Sequence, residues 1–303
     1  MKLARQVGLV TFWFGAAVSA PALGAAPAFD TAAIESLTGA KGVLDAKEAV
    51  FKVSLPRKDL AVTAAGVRMT PGMGLTAWAA FTKSGRHTMV MGDIVLLEDQ
   101  VNAVMSAALD NGLEVTALHN HFFGDSPKVM FMHVGGMGDE KTLAVGIGQV
   151  FAKLRETSGG KGALASANID PAKTSLDPAK IEKVLRYKGE LKDGVYKVVV
   201  GRSTKMNGHT VGKAMGVNTW AAFAGSDDQA VVDGDFAMVE SELQPVLKAL
   251  RKGGIDVVAI HNHMAGESPR ILFLHYWGVG PTESLARTLR SALDVTRHEE
   301  AAP

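Results

Sequence analysis

The chain has 303 residues, 47% hydrophobic and 21% charged, with 32 basic and 31 acidic side chains and a net charge of +1. That length supports a large core or two fused domains, and the balanced charge argues against nucleic acid or an anionic membrane surface as partner. The absence of cysteine excludes disulfides, thiolate metal sites, a cysteine nucleophile and a lipid-bearing cysteine behind a leader.

Residues 1–26 have the pattern of a secretory leader. Lys2 and Arg5 precede an apolar run from Val7 to Val18, and small residues follow at Val18-Ser19-Ala20 and on to Ala26. The run is shorter than the roughly 20 residues a membrane span needs. The expectation is a cleaved signal and a mature chain that is periplasmic or secreted, with no stable membrane anchor after leader cleavage.

From residue 30 the elements come twice. Asp30 is placed to cap a short helix with Ile34 and Leu37 on one face and Gly39 to stop it; Asp177 caps the counterpart, with Ile181 and Leu185 inward and Gly189 as the stop. Strands follow at Val50–Val53 and Val195–Val200, leading to Arg57 and Arg202, for which a salt bridge or anion binding is expected. Next come the apolar runs Thr76–Phe81 and Asn218–Phe223, then strands His87–Leu97 and Gln229–Val239, in which Gly92-Asp93 aligns with Gly234-Asp235. A helix carries Val101, Val104, Met105, Ala108 and Leu109 at helical spacing; in the second copy Ser241 and Gln244 suggest a capping box, and Leu243, Val246, Leu247 and Leu250 face inward. A histidine strand, a turn, a strand from Lys128 to Val134, a glycine stretch and a last helix near Asp139 complete the unit; Thr282 is placed to cap its second copy.

The predicted organisation is therefore repeat 1 at 30–157, a Gly/Ala/Ser/Pro-rich linker at 158–176, and repeat 2 at 177–297. The fold class is α+β: a tandem duplication of a mainly antiparallel sheet-plus-helices unit, the copies related by a pseudo-two-fold axis.

The chemistry concentrates in one block of each repeat. EVTALHNHFFGDSPKVMFMHVGGMG at 114–138 returns as DVVAIHNHMAGESPRILFLHYWGVG at 256–280, identical at twelve of 25 positions and holding six of the nine histidines. Residues i and i+2 of a strand share a face, so His119 and His121 project together, and hairpin pairing brings His133 opposite or diagonal to His119. His261, His263 and His275 repeat the pattern. Three imidazoles on one face of a hairpin suit a divalent metal, zinc first, with manganese, iron or copper as alternatives.

Asp125 and Glu267 lie in the intervening turn, where either could be a fourth ligand or a general base. In the second copy Glu267 is the candidate catalytic base and Arg270 offers a bidentate fork for an anionic small molecule. Tyr276 and Trp277 beside His275 could wall a pocket where the first copy has Val134 and Gly135, so the second copy is expected to carry the working site. The readings that follow are a metal-dependent hydrolase, a non-enzymatic metal- or ligand-binding protein, or a metal-free site in which paired histidines act as acid and base on a phosphoester, with Lys128 and Arg270 holding the anion. Histidines hydrogen-bonded in a core are the structural alternative. His209 is expected in an exposed loop, and the methionines at 69–73, 89–91 and 130–132 as core filling.

The HNH…ESPR…FLHYWG block, the strand before Gly201-Arg202 and the Trp-Ala-Ala-Phe strand resemble the LppY/LpqO family of exported bacterial proteins, over residues 30 to about 296. The resemblance implies export and duplication but supplies no reaction. Its lipoprotein members carry a leader cysteine that this chain lacks.

Overall fold

A computed structural model describes residues 29–160, 162 and 164–296; the expected leader lies outside these residues. Repeat 1 runs α1 (Thr31–Thr38), β1 (Lys41–Asp45), β2 (Val50–Pro56), β3 (Thr63–Ala64), β4 (Val67–Arg68), β5 (Thr76–Ser84), β6 (His87–Leu97), α2 (Val101–Asp110), β7 (Glu114–His119), β8 (Asp125–Ser126), β9 (Val129–Gly138) and α3 (Glu140–Glu156). Repeat 2 runs α4 (Pro178–Leu185), β10 (Gly189–Lys192), β11 (Val195–Gly201), β12 (Thr204–Met206), β13 (His209–Val211), β14 (Asn218–Gly225), β15 (Ala230–Val239), α5 (Leu243–Lys252), β16 (Asp256–His261), β17 (Ile271–Gly280) and α6 (Thr282–Asp294). The fold is thus the expected α+β duplication.

The repeats share one 12-stranded sheet, ordered β1-β2-β5-β6-β9-β7-β16-β17-β15-β14-β11-β10. The second half of that order retraces the first. The halves join where β7 meets β16, antiparallel, through the single pair Leu118↔Ile260. These two residues are each other's counterparts in the duplication, so the pseudo-two-fold axis passes between them.

Side-chain amides complete the junction reciprocally. Val257 N donates to Asn102 Oδ1 (2.8 Å) and Asn102 Nδ2 to Val257 O (3.3 Å). On the other side Val115 N donates to Gln244 Oε1 (3.0 Å) and Gln244 Nε2 to Val115 O (2.8 Å). Each helix residue thereby satisfies backbone groups of the other repeat's inner strand, which would be orphaned where pairing stops.

One face of the sheet carries the helices. In α5 the spacing of Leu243, Val246, Leu247 and Leu250 makes an apolar stripe, and all four are buried in the main core with Ile260, Leu274 and Tyr276. Each such side chain contributes about 1.5–3 kcal/mol. The opposite face is covered only at its margins. There β3, β4 and β8 form a small sheet over Val95, Val129 and Phe131, and the hairpin of β12 and β13 covers Ala237, Ile271 and Phe273. The centre of this second face is left to the histidine strands.

Several local expectations change. Helix α4 ends at Arg186 in the left-handed conformation, with Gly189 already in β10. Gln244 is drawn to Val115 instead of closing a box with Ser241, and Glu242 Oε2 accepts from Val239 N (2.9 Å) in that capping role. Pro281 precedes α6, and the Thr282 hydroxyl donates to Ser226 O (2.9 Å) rather than capping. The glycine stretch at 135–138 stays within β9. The linker is anchored to repeat 2: Ser175 N and Leu176 N both donate to Gly225 O, and Leu176 is buried.

Candidate metal centre

Each site begins with strand register. His119 ends β7 opposite Phe131, and His133 stands opposite Ala117, diagonal to His119. In repeat 2 His261 pairs Phe273, and His275 pairs Ala259. Directly opposed residues share a face, and Phe131 and Phe273 lie in the small cores away from the helices. The histidines therefore project from the open face. His121 and His263 lie just past the strand ends and are held there by stacking on those phenylalanines, with ring centroids 3.6 and 3.5 Å apart. Each platform adds about 0.5–1.5 kcal/mol of orientation to an otherwise exposed side chain.

A fourth residue completes each cluster. Asp93 of β6 is directly opposite His133, and Asp235 of β15 directly opposite His275. The glycines before these aspartates make room for what packs on the other face. A Cβ at Gly234 would fall 2.1 Å from the Tyr276 hydroxyl, which donates to Trp220 O (2.8 Å); one at Gly92 would fall 2.9 Å from Val134 Cγ2.

The polar atoms converge. His119 Nε2 and His133 Nε2 are 2.9 Å apart, and His261 Nε2 and His263 Nε2 are 3.1 Å apart. Asp235 Oδ2 is 3.6 Å from His263 Nε2. Ligand atoms of Asp235, His261 and His263 all lie within 4.8 Å of one another, and the His275 ring stacks 4.6 Å from that of His261. Among the described residues this is the one cluster of three or more so tightly gathered. Buried without hydrogen-bond partners are Asp93 Oδ1, Asp235 Oδ1 and His261 Nδ1. Such orphans cost about 1–3 kcal/mol each.

The electrostatics follow from that crowding. Burial pushes the His261 imidazole down to about 4, helped by His275 and His263. His121 is lowered too, by burial and then by His119. Burial raises the carboxyls of Asp93 and Asp235, and the facing histidines only partly oppose this. A metal-free cluster is thus unfavourable in both charge states: His261 and His121 resist protons, and Asp235 and Asp93 resist ionisation. A divalent cation relieves both, since it binds neutral imidazole and ionised carboxylate. The set of three imidazoles and one carboxylate suits Zn²⁺, Mn²⁺ or Fe²⁺.

The remaining candidates fall around this centre. Glu267 is buried; its Oε1 accepts from Ile271 N (3.1 Å), and Oε2 is buried without a partner. Asp125 accepts from Val129 N (2.8 Å). Both carboxylates thus brace the turn, and neither belongs to the convergent cluster. Arg270 is exposed and donates to Asn262 Oδ1 (3.3 Å), between the two histidines of its strand. Lys128 pairs with Glu98 at 3.5 Å. Arg57 and Arg202 are buried structural cations. The first bonds Asp59, Gln100 and Val95 O; the second pairs with Glu242 at 2.7 Å. His209 is exposed on β13.

Tyr276 points into the main core, on the face of the sheet away from the histidines, so it does not wall their site. Trp277, on the open face with His275, does line a cavity, of about 230 Å³, shared with Val101, Met130, Leu164, Val257 and Val258 at the repeat junction. Asp93 and Asp235 escape a reading built on histidine spacing. The available signal is a Gly-Asp pair at equivalent positions of two otherwise apolar strands.

The chain belongs to the family described as Domain of Unknown Function (DUF1259), whose model matches it twice, over residues 32–153 and 179–295. No curated protein matches it. Among solved structures, a trimeric bacterial microcompartment shell protein, PduB, is similar at 12% identity, covering 84% of this chain and 89% of that one with a TM-score of 0.20. EtuB from Clostridium kluyveri is similar at 9% identity, over 84% and 89%, with a TM-score of 0.21. Scores of this size carry no argument about fold or assembly.

Proposed function

We propose that the protein is a divalent-metal-dependent hydrolase of small anionic molecules, exported in keeping with its leader-like first 26 residues, with its principal site in repeat 2 and a related site in repeat 1. The observation behind this reading is the convergence of Asp235, His261 and His263 within 4.8 Å, with buried donor atoms that no protein group satisfies. His275 is the additional ligand, and Asp93, His119, His121 and His133 are the ligands of the related site. Zinc is the first choice, with manganese or iron as alternatives.

An ion held there supplies Lewis acidity toward a water and a substrate oxygen. The chain's own groups do the rest. The cluster lies on the uncovered centre of the sheet face, and His263 is 37% exposed, so a small molecule can reach it. Arg270 lies along the His261–His263 loop, where its guanidinium would hold an anionic group. Glu267, the candidate general base, has one carboxylate oxygen engaged in the turn and the other buried without a partner. The same geometry serves a metal carrier if the fourth protein ligand closes the shell, and turnover separates the two.

The test is metal stoichiometry on protein purified without a histidine tag. Up to two ions per chain are expected, and His261→Ala with His263→Ala should remove one and leave the other. A protein that stays metal-free after incubation with Zn²⁺, Mn²⁺ and Fe²⁺ overturns the reading in favour of paired imidazoles or structural histidines.

A further inference from the structure

The open face carries a second pattern. In repeat 1 Trp78 of β5 stands directly opposite Asp93, which stands directly opposite His133. In repeat 2 Trp220 stands opposite Asp235, which stands opposite His275. Each row therefore runs indole, carboxylate, imidazole across three strands on one face. A lysine from the next strand lies over each indole, Lys52 with Nζ 3.9 Å from the Trp78 ring centroid and Lys197 with Nζ 4.0 Å from that of Trp220. Among the described residues neither ammonium belongs to a salt bridge. Elsewhere the repeats have diverged, as in the Tyr276/Val134 and Trp277/Gly135 pairs. The ammonium-indole-carboxylate-imidazole row is kept in both.

Charge and spacing together specify a ligand. Three neutral imidazoles, one carboxylate and a divalent ion sum to +1, and the ammonium adds a second positive charge, which in repeat 2 is shared with Asp233 on the same face. The indole lies two strands from the third histidine, about 10 Å at the usual spacing. The ammonium and the metal ligands thus stand toward opposite ends of the row, with room between them for a short chain carrying an anionic oxygen at each end. We propose that each site binds a small organic dianion, one carboxylate completing the metal's coordination and the other meeting the lysine held over the tryptophan. This rests on the metal reading and names the substrate class for it. The aliphatic middle of such a molecule would cross the edge of the indole, an apolar surface already in place.

The experiment first measures zinc content, then titrates the zinc-loaded protein calorimetrically with glutarate, whose carboxylates are three methylenes apart, and with butyrate, which has one carboxylate. Glutarate should bind at least about 10-fold tighter than butyrate. In the double variant Lys52→Met and Lys197→Met that preference should vanish while zinc content stays unchanged. Both lysines are exposed, so the variant should fold as the parent does. Zinc-loaded protein that binds the two acids equally, binds neither, or keeps its preference without the lysines overturns the dianion proposal alone. Protein that takes up no zinc overturns the metal reading and this inference with it.

Discussion

Asp235→Asn tests the metal centre because its two consequences have opposite signs. The residue is 4% exposed, and its side chain faces His275 across the strands and leaves Oδ1 without a partner. Burial raises its carboxyl pKa, so in metal-free protein its contribution to stability is lost as pH rises through that raised value, and at neutral pH the buried charge is a cost. Asparagine keeps the shape and removes the charge, so the metal-free variant should be as stable as the parent or more so. The bound ion, by contrast, loses an anionic ligand, and its affinity should drop by about 10²-fold, or about 2.7 kcal/mol. At zinc about 1,000-fold above the parent's Kd for this site, binding there stabilises the parent by about 4.1 kcal/mol and the variant by about 1.4 kcal/mol, over and above what the related site adds equally to both. For a chain of this size that corresponds to a zinc-induced rise in Tm of roughly 8 °C against roughly 3 °C. Differential scanning calorimetry with and without zinc gives both numbers. If the metal-free variant loses several degrees while its zinc-induced rise matches the parent's, Asp235 is a structural carboxylate and the assignment is wrong.

The pH dependence has a definite sign at His261. Its folded pKa of about 4 lies below the ordinary value of about 6.5, so the unfolded chain takes up a proton that the folded chain refuses between those values. Metal-free stability is therefore expected to fall as pH drops from about 6.5 to 4, by about 1 kcal/mol once solvent screening of this part-exposed ring is allowed for, and His261→Gln should flatten that part of the curve. The junction gives a third prediction. Asn102→Ala with Gln244→Ala removes the hydrogen bonds to Val257 and Val115, costing about 1–3 kcal/mol at each side, and urea unfolding should become less cooperative. An unchanged transition would show that the amides are dispensable. Glu267→Gln separates base from brace: metal content and Tm should hold and any hydrolytic turnover should fall about 10²-fold, whereas a drop in Tm with turnover intact assigns it to the turn alone. Mass spectrometry of the exported protein should place its N-terminus between Pro21 and Asp30, and an intact Met1 in membranes would refute the leader.

Much of the fold was legible because its signals are local. Alternation and helical spacing mark β6 and α2, capping aspartates mark α1 and α4, and the repeated block declares the duplication. The site was half legible for the same reason. His119, His121 and His133 sit on one hairpin, where strand parity alone gathers them. Asp93 reaches His133 only through the long-range pairing of β6 with β9, and no spacing within the histidine block encodes that. Gln244 was misread because a glutamine three residues after a serine at a helix start fits a capping box. Its actual partner is Val115 in the other repeat, and only the meeting of β7 with β16 brings the two together. Tyr276 was misread by neighbourhood: next to His275 in sequence, it points through the sheet to the opposite face.

The duplication bears directly on the site. In a lone repeat β7 would be an edge strand, with unpaired backbone groups beside His119 and a tendency to fray or to pair with another chain. Fusing two copies through Leu118↔Ile260 turns both histidine strands into inner strands, and the Asn102 and Gln244 amides satisfy groups that the short pairing leaves over. The histidines gain a rigid base without losing the open face, because the helices that seal the junction lie on the other side of the sheet. A metal centre needs ligands that hold still and a face that a small molecule can reach. The pseudo-two-fold joint provides both, and it leaves the two faces free to diverge, as the difference between Trp277 and Gly135 beside the third histidine shows.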